Sequence, residues 1–252
     1  MRNIKLTITY DGTDFCGWQK QEKSNAGLNF QRTVQGVIEQ ALLNIHRKPV
    51  NLTGSGRTDS GVHAKGQAAN FYSDIDSIPP GRFVHALNSL LPQDVRILDS
   101  NEEKKEFHAR FSACARLYRY FFICRRPVLP HESRYNLKLP RFPDLETLNA
   151  YGRLLLGETD CSVFCGAGDM SKSKNRYIYS SRFFVEGDRL VFEIRANAFL
   201  RNMVRSVAGT FLHYEEKNTP PEKLREIIAS KNRSLAGPTL PPQGLFLWKV
   251  DY

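Results

Sequence analysis

Ile4-Lys5-Leu6-Thr7-Ile8-Thr9-Tyr10-Asp11-Gly12 alternates apolar and polar side chains and then stops at a turn pair. Period two predicts a strand with one buried face, closed by Asp11-Gly12. Outward from it, residues 19–32 are polar and without period, which predicts a long loop. Val34, Val37, Ile38, Ala41, Leu42 and Ile45 then recur at helical spacing behind Thr33, a suitable N-cap, and Pro49 is expected to end that helix. Strands are expected at about 49–55 and 67–73. A helix is expected from Pro79-Pro80-Gly81 to about Leu91, and a further strand over Val95, Ile97 and Ser100. The order is β-α-β-β-α-β.

The second half repeats that order. It predicts a strand over 115–123, a helix over 145–156, and strands over 178–185 and 189–195 around the turn Gly187-Asp188. Helices over 199–214 and 221–230 and a strand over 245–250 complete it. Each half therefore reads as a ferredoxin-like split β-α-β unit. The expected fold class is α+β, with the two sheets side by side as one broad antiparallel sheet and helices on one face. The division falls at 1–106 and 107–252.

With 252 residues, 41% hydrophobic and 25% charged, the composition is that of a globular protein and excludes collagen-like and disordered classes. Mean hydropathy is −0.43, and no run approaches the ~18 apolar residues of a membrane span. The start Met1-Arg2-Asn3-Ile4-Lys5 builds no apolar signal core, so a cytosolic location is expected. Five cysteines (16, 114, 124, 161 and 165) are read as reduced thiols, mostly small buried residues. The six histidines show no ligand spacing, so no metal site is expected.

Net charge is +10, and it is lopsided. Residues 1–106 hold 13 basic and 12 acidic side chains, residues 107–252 hold 23 and 14. Arg110, Arg116, Arg119, Arg125 and Arg126 interleave with Phe111, Tyr118, Tyr120, Phe121 and Phe122. Guanidinium forks match phosphate and aromatic rings stack on unpaired bases, which favours a polyanionic partner.

The most unusual stretch is Gly54-Ser55-Gly56-Arg57-Thr58-Asp59-Ser60-Gly61-Val62-His63-Ala64. Its three glycines within eight residues permit sharp turns, and its one carboxylate, Asp59, has Arg57 two residues away. No second acid lies in the loop for paired-carboxylate chemistry. From the residues alone, an Asx-turn in which Asp59 caps local amides is as good a reading as a catalytic one.

Arg57-Thr58-Asp59-Ser60-Gly61-Val62-His63-Ala64 resembles the active-site motif of the TruA family, the tRNA pseudouridine(38-40) synthases. Four further stretches, in order, are similar to that family's motifs: Tyr10 to Gln19; Phe107 to Ala113 with Arg116 to Tyr120; Asn197 to Leu200 with Met203-Val204-Arg205; and Gly244 to Leu247. Cys161, in place of an aromatic, and Ser206, in place of an Asn, depart from the pattern. The resemblance implies the pseudouridine synthase fold. It also implies isomerisation of uridine in the tRNA anticodon stem-loop without a cofactor, with Asp59 as the essential carboxylate. It implies Arg205 as the guanidinium favouring the ionised carboxylate, Tyr118 stacked on the uracil, Leu245 as an apolar wall and Arg57 reaching toward the RNA. Gln19, Lys20 and Lys23 are candidate RNA contacts. The implied partners are tRNA and a second subunit of a homodimer, with no DNA and no membrane.

Overall fold

A computed structural model describes residues 1–20 and 31–252. The expected loop over 19–32 and Lys23 fall largely or wholly outside the described residues. The chain folds as an α+β protein in two compact units, residues 1–114 with 247–252, and residues 115–246.

The first unit is built on β1 (Arg2–Tyr10), α1 (Val34–His46), β2 (Thr53–Gly54), β3 (His63–Ser73), α2 (Phe83–Asn88) and β4 (Val95–Glu103). The strand order β4-β1-β3, with β2 beyond β3, is that of a split β-α-β unit. The alternation that opens the sequence buries Ile4, Leu6, Ile8 and Tyr10, each at most 3% exposed. Thr33 caps α1 as expected, its hydroxyl accepting from the Gly36 N–H. Helix α1 stops three residues before Pro49, because Arg47 turns left-handed (φ 58) and returns its N–H to Leu43. Phe71 of β3 packs edge-on against Phe83 of α2, whose ring stacks on His46 of α1.

Three expectations are corrected here. The strand at 49–55 shrinks to Thr53–Gly54. The strand placed at 67–73 begins at His63, inside the glycine-rich stretch. The helix expected up to Leu91 is a 3-10 turn over Pro80–Arg82 followed by six residues of α2.

The second unit contains β5 (Ala115–Ile123), β6 (Leu137–Lys138), α3 (Leu145–Arg153), β7 (Gly157–Asp160), β8 (Asn175–Glu186), β9 (Arg189–Ala196), α4 (Met203–Glu216) and α5 (Pro221–Ala229). The last strand, β10 (Leu245–Asp251), begins here with Leu245 and Phe246 and runs its remaining residues in the first unit. β5 pairs antiparallel with β9, β9 with β8 and β8 with β7, whereas the short β6 pairs parallel to β5. Gly187 (φ 63) makes the β8–β9 hairpin turn. The core stacks Phe183 on Phe192 at 4.6 Å, with Phe211 of α4 against Phe192 and against Tyr151 of α3. Helix α4 starts at Met203 rather than 199, because Asn202 is left-handed (φ 60). Among the described residues no helix is long and apolar enough to cross a membrane.

Candidate active site

The loop from Gly54 to Ala64 lies between β2 and β3, and its two ends are tied down by different means. At its start, the Ser55 N–H donates to the Ala68 carbonyl at 2.7 Å. The Ser55 hydroxyl donates to Gln67 Oε1 at 2.6 Å, and Gln67 Nε2 returns a bond to the Gly56 carbonyl at 2.9 Å. At its end, His63 is fully buried and its Nδ1 accepts from the Gly12 N–H at 3.0 Å.

Between those ends the loop leans on residues 10–18. The Tyr10 and Thr58 hydroxyls meet at 2.7 Å in a buried pair. The Trp18 N–H donates to the Thr58 carbonyl at 3.1 Å, and the Phe15 carbonyl accepts from both Ser60 Oγ and the Gly61 N–H. The approach is closest at two glycines. A Cβ on Gly12 would lie 2.0 Å from the Val62 carbonyl oxygen, and one on Gly17 (φ +95) would lie 2.8 Å from that of Thr58. β1 feeds this contact with an irregular register against both neighbours, between Ile8 and Tyr10 toward β3 and between Thr7 and Ile8 toward β4. Such irregularities re-aim the end of a strand.

Asp59 sits at the crest, half-buried, as the first residue of a turn in which its carbonyl accepts from the Val62 N–H at 3.1 Å. Gly61 (φ 77) supplies the left-handed position of that turn. Ser55, Thr58, Val62 and His63 are buried while Arg57 and Ser60 are exposed. The flanking backbone is thus held inside, and Asp59 stays half-buried between the buried Thr58 and the exposed Ser60. Arg57 Nε donates to Gln19 Oε1 at 3.1 Å. Lys20, a candidate RNA contact, is ion-paired to Glu39 at 3.2 Å.

Tyr118, Arg205 and Leu245 belong to the second unit. Tyr118 is 9% exposed on β5 opposite Ile194, with Phe199 edge-on at 5.0 Å. Arg205 is half-buried on α4; its Nε donates to the Leu240 carbonyl at 2.6 Å and its Nη1 to Asn202 Oδ1 at 3.3 Å. Leu245 is buried at the start of β10, its N–H on the Pro242 carbonyl. Tyr120, two residues along β5, donates its hydroxyl to Pro241, and burial raises its phenol far above the usual range.

The arginine-rich segment is less available than its sequence implies. Arg116 is nearly buried and donates to the Asn197 carbonyl at 2.7 Å. Arg119 pairs with Glu193 at 2.8 Å, and Arg126 is held by Glu132 and Asp188. Arg110 is exposed, and Arg125 lies over the Phe142 ring at 4.6 Å. Three of the five guanidiniums therefore serve the fold of the second unit. Cysteine burial is also mixed: Cys124 and Cys161 are buried as expected, but Cys16 and Cys114 are exposed. Sequence reasoning missed the parts played by Tyr10, Gly12, Gly17 and Asn202. The motif around residues 10–19 was the signal, since polar and glycine positions there have no core to serve.

The model of a family described as tRNA pseudouridine synthase matches residues 6–112 and 152–252. The chain belongs to this family. Pseudouridine synthases of this kind are isomerases. Among similar proteins is the tRNA pseudouridine synthase A of Treponema denticola, 52% identical over 251 residues, covering 100% of this chain and 93% of that protein. That of Caldicellulosiruptor saccharolyticus is 44% identical with all of both chains covered. That of Bacillus pumilus is 40% identical over 99% of this chain and 98% of its own. The likeness of these synthases to the present chain thus extends over its full length, including both the Asp59 loop and the Arg205 helix.

Proposed function

We propose that this protein isomerises uridine to pseudouridine in tRNA, at positions 38, 39 and 40 of the anticodon stem-loop, with Asp59 as its essential carboxylate. The observation that carries this reading is the Asp59 loop itself. Its flanking backbone is locked by buried hydrogen bonds around a half-buried acid, within the stretch over which the chain matches the family. A turn serving only as a local cap needs no such anchoring.

The reaction breaks the N1–C1′ bond, turns the uracil and rejoins it through C5; C5 loses its proton to solvent and N1 gains one in exchange. Atoms and electrons balance within the nucleotide, so no cofactor is required. Asp59 acts on the sugar, as nucleophile at C1′ or as base on the ribose. Tyr118 stacks on the uracil, Leu245 gives an apolar wall, and Arg57 and Arg205 serve the RNA and the reacting centre. Unstacking the target costs a few kcal/mol and is offset by pocket and phosphate contacts. The basic excess of residues 107–252 supports the phosphate part and implies salt-sensitive binding. The working form is a cytoplasmic homodimer.

The test is tritium release from C5-labelled uridine in undermodified tRNA. Wild-type protein releases the label, and D59N releases none while holding tRNA with affinity within several-fold of wild type. Full turnover by D59N removes Asp59 from this role. Release of free uracil in place of an unchanged RNA mass would make the protein a nucleoside-bond hydrolase.

A further inference from the structure

Arg205 is steered by a neighbour that breaks an ordinary rule. Asn202 occupies the N-cap position of α4, where an asparagine side chain commonly accepts from an amide of the first turn. Here it makes no such bond; its Oδ1 accepts from Arg205 Nη1 at 3.3 Å instead. Its backbone is left-handed, φ 60 and ψ 3, a conformation that asparagine tolerates better than most side chains.

The peptide groups on both sides of Arg201 are pinned by the segment 165–174 of the same unit. Asp169 Oδ2 accepts from the Arg201 N–H at 2.7 Å, and the Gly166 N–H donates to the Arg201 carbonyl at 2.8 Å. Asp169 is itself held, its Oδ1 accepting from the Ser171 N–H at 2.9 Å and from Lys174 Nζ at 2.7 Å, and its side chain is 7% exposed. Gly166 lies close against this turn, since a Cβ there would stand 2.8 Å from Asn202 Nδ2 and 3.0 Å from the Arg201 carbonyl oxygen. Asn202 therefore has little freedom to turn, and its carbonyl already accepts from the Ser206 N–H of α4. The Leu240 carbonyl on Nε and Asn202 Oδ1 on Nη1 both hold the guanidinium of Arg205.

We propose that Asn202 is a positioning residue for Arg205, held in its left-handed turn by the Asp169-anchored segment. This rests on the reading of Arg205 as a residue that serves the substrate. The Asn202 acceptor helps set the plane of the guanidinium, and its loss lets that plane swing.

The test uses the full-length enzyme and undermodified tRNA, with single-turnover pseudouridine formation and tRNA affinity measured separately. N202G keeps the left-handed backbone and removes the acceptor; N202D keeps the acceptor. N202G is expected to slow the chemical step by about ten- to hundredfold, the range for losing one bond to a charged group, with affinity within twofold. N202D restores most of the rate, and N202G causes no further loss in an R205A background. D169N, which weakens the anchor on Arg201, slows the step several-fold at unchanged affinity. This variant carries the test if N202G melts early. A fast N202G beside a slow R205A overturns the proposal alone, as does a full additional loss in the double variant. An R205A enzyme as fast as wild type removes the substrate role of Arg205 and this proposal together, leaving Asp59 to be judged by D59N.

Discussion

Gly12→Ala adds one methyl group where the Asp59 loop crosses the end of β1. That Cβ would stand 2.0 Å from the Val62 carbonyl oxygen, 2.5 Å from its carbonyl carbon and 3.1 Å from its nitrogen. Ordinary contact needs about 3.5 Å, so one of the two backbones must retreat by more than about 1 Å. Residues 10–12 are held by the Tyr10–Thr58 hydroxyl pair and the Gly12–His63 bond. The Val62 N–H bonds to the Asp59 carbonyl, so movement of Val62 is passed to the turn that carries the carboxylate. Overpacking of this kind costs about 1–3 kcal/mol, equivalent to about 2–12 °C in melting temperature for a chain of this size. A reacting group displaced by about 1 Å loses about a hundredfold in rate. The assay pairs thermal melting with single-turnover pseudouridine formation. The expected result is a folded protein with a modestly lower melting temperature, near-normal tRNA affinity and a rate about two orders of magnitude down. A G12A variant that melts and turns over like wild type would show that the loop is not locked against β1, and the account of the site would fail.

Tyr10→Phe removes one hydroxyl from the buried pair and leaves that of Thr58 without this partner. It should destabilise by about 1–3 kcal/mol in urea unfolding, and an unchanged midpoint would show that the pair does not stabilise the fold. Lys231 and Ser162 hold the Asp160 carboxyl down at about 2. Because the folded value lies below the ordinary one, Asp160 adds stability above about pH 4, and that contribution is lost as the pH falls toward 2. D160N should flatten the pH–stability curve in that window alone, and a curve parallel to wild type would contradict the assignment. Burial pushes the Cys161 thiol up to about 12. Iodoacetamide at neutral pH should therefore label the exposed Cys16 and Cys114 and spare Cys161 until denaturant is added; early labelling of Cys161 in peptide mass maps would contradict its burial.

Local patterns carried much of the fold. The strand over 115–123 coincides with β5, and the Thr33 cap and the Gly187 hairpin turn stand where spacing placed them, because each is decided by side chains within a few residues. The misplaced boundaries have distant causes. β3 starts at His63 because that residue is claimed by Gly12, and Gly66 allows the Trp248 backbone to pass close by. α4 starts late because Asp169 and Gly166 fix the turn before it. The arginine-rich segment is only partly available for a similar reason. A linear reading counts charges, whereas Glu193, Glu132 and Asp188 neutralise two of those guanidiniums from 6 to 74 residues away. Asp59 was visible as an odd carboxylate among glycines, but the residues that hold it lie on the other side of a gap of some forty positions.

The tight weave of residues 10–18 with 54–64 also bears on how such a segment can vary over time. Every second or third position is claimed by a partner at fixed reach, so an insertion of even one residue would throw the downstream tethers out of phase. Substitution can be tolerated at the outward positions; a change of length cannot. Natural drift and laboratory recombination alike should leave the span between Gly54 and Ala64 unaltered in size.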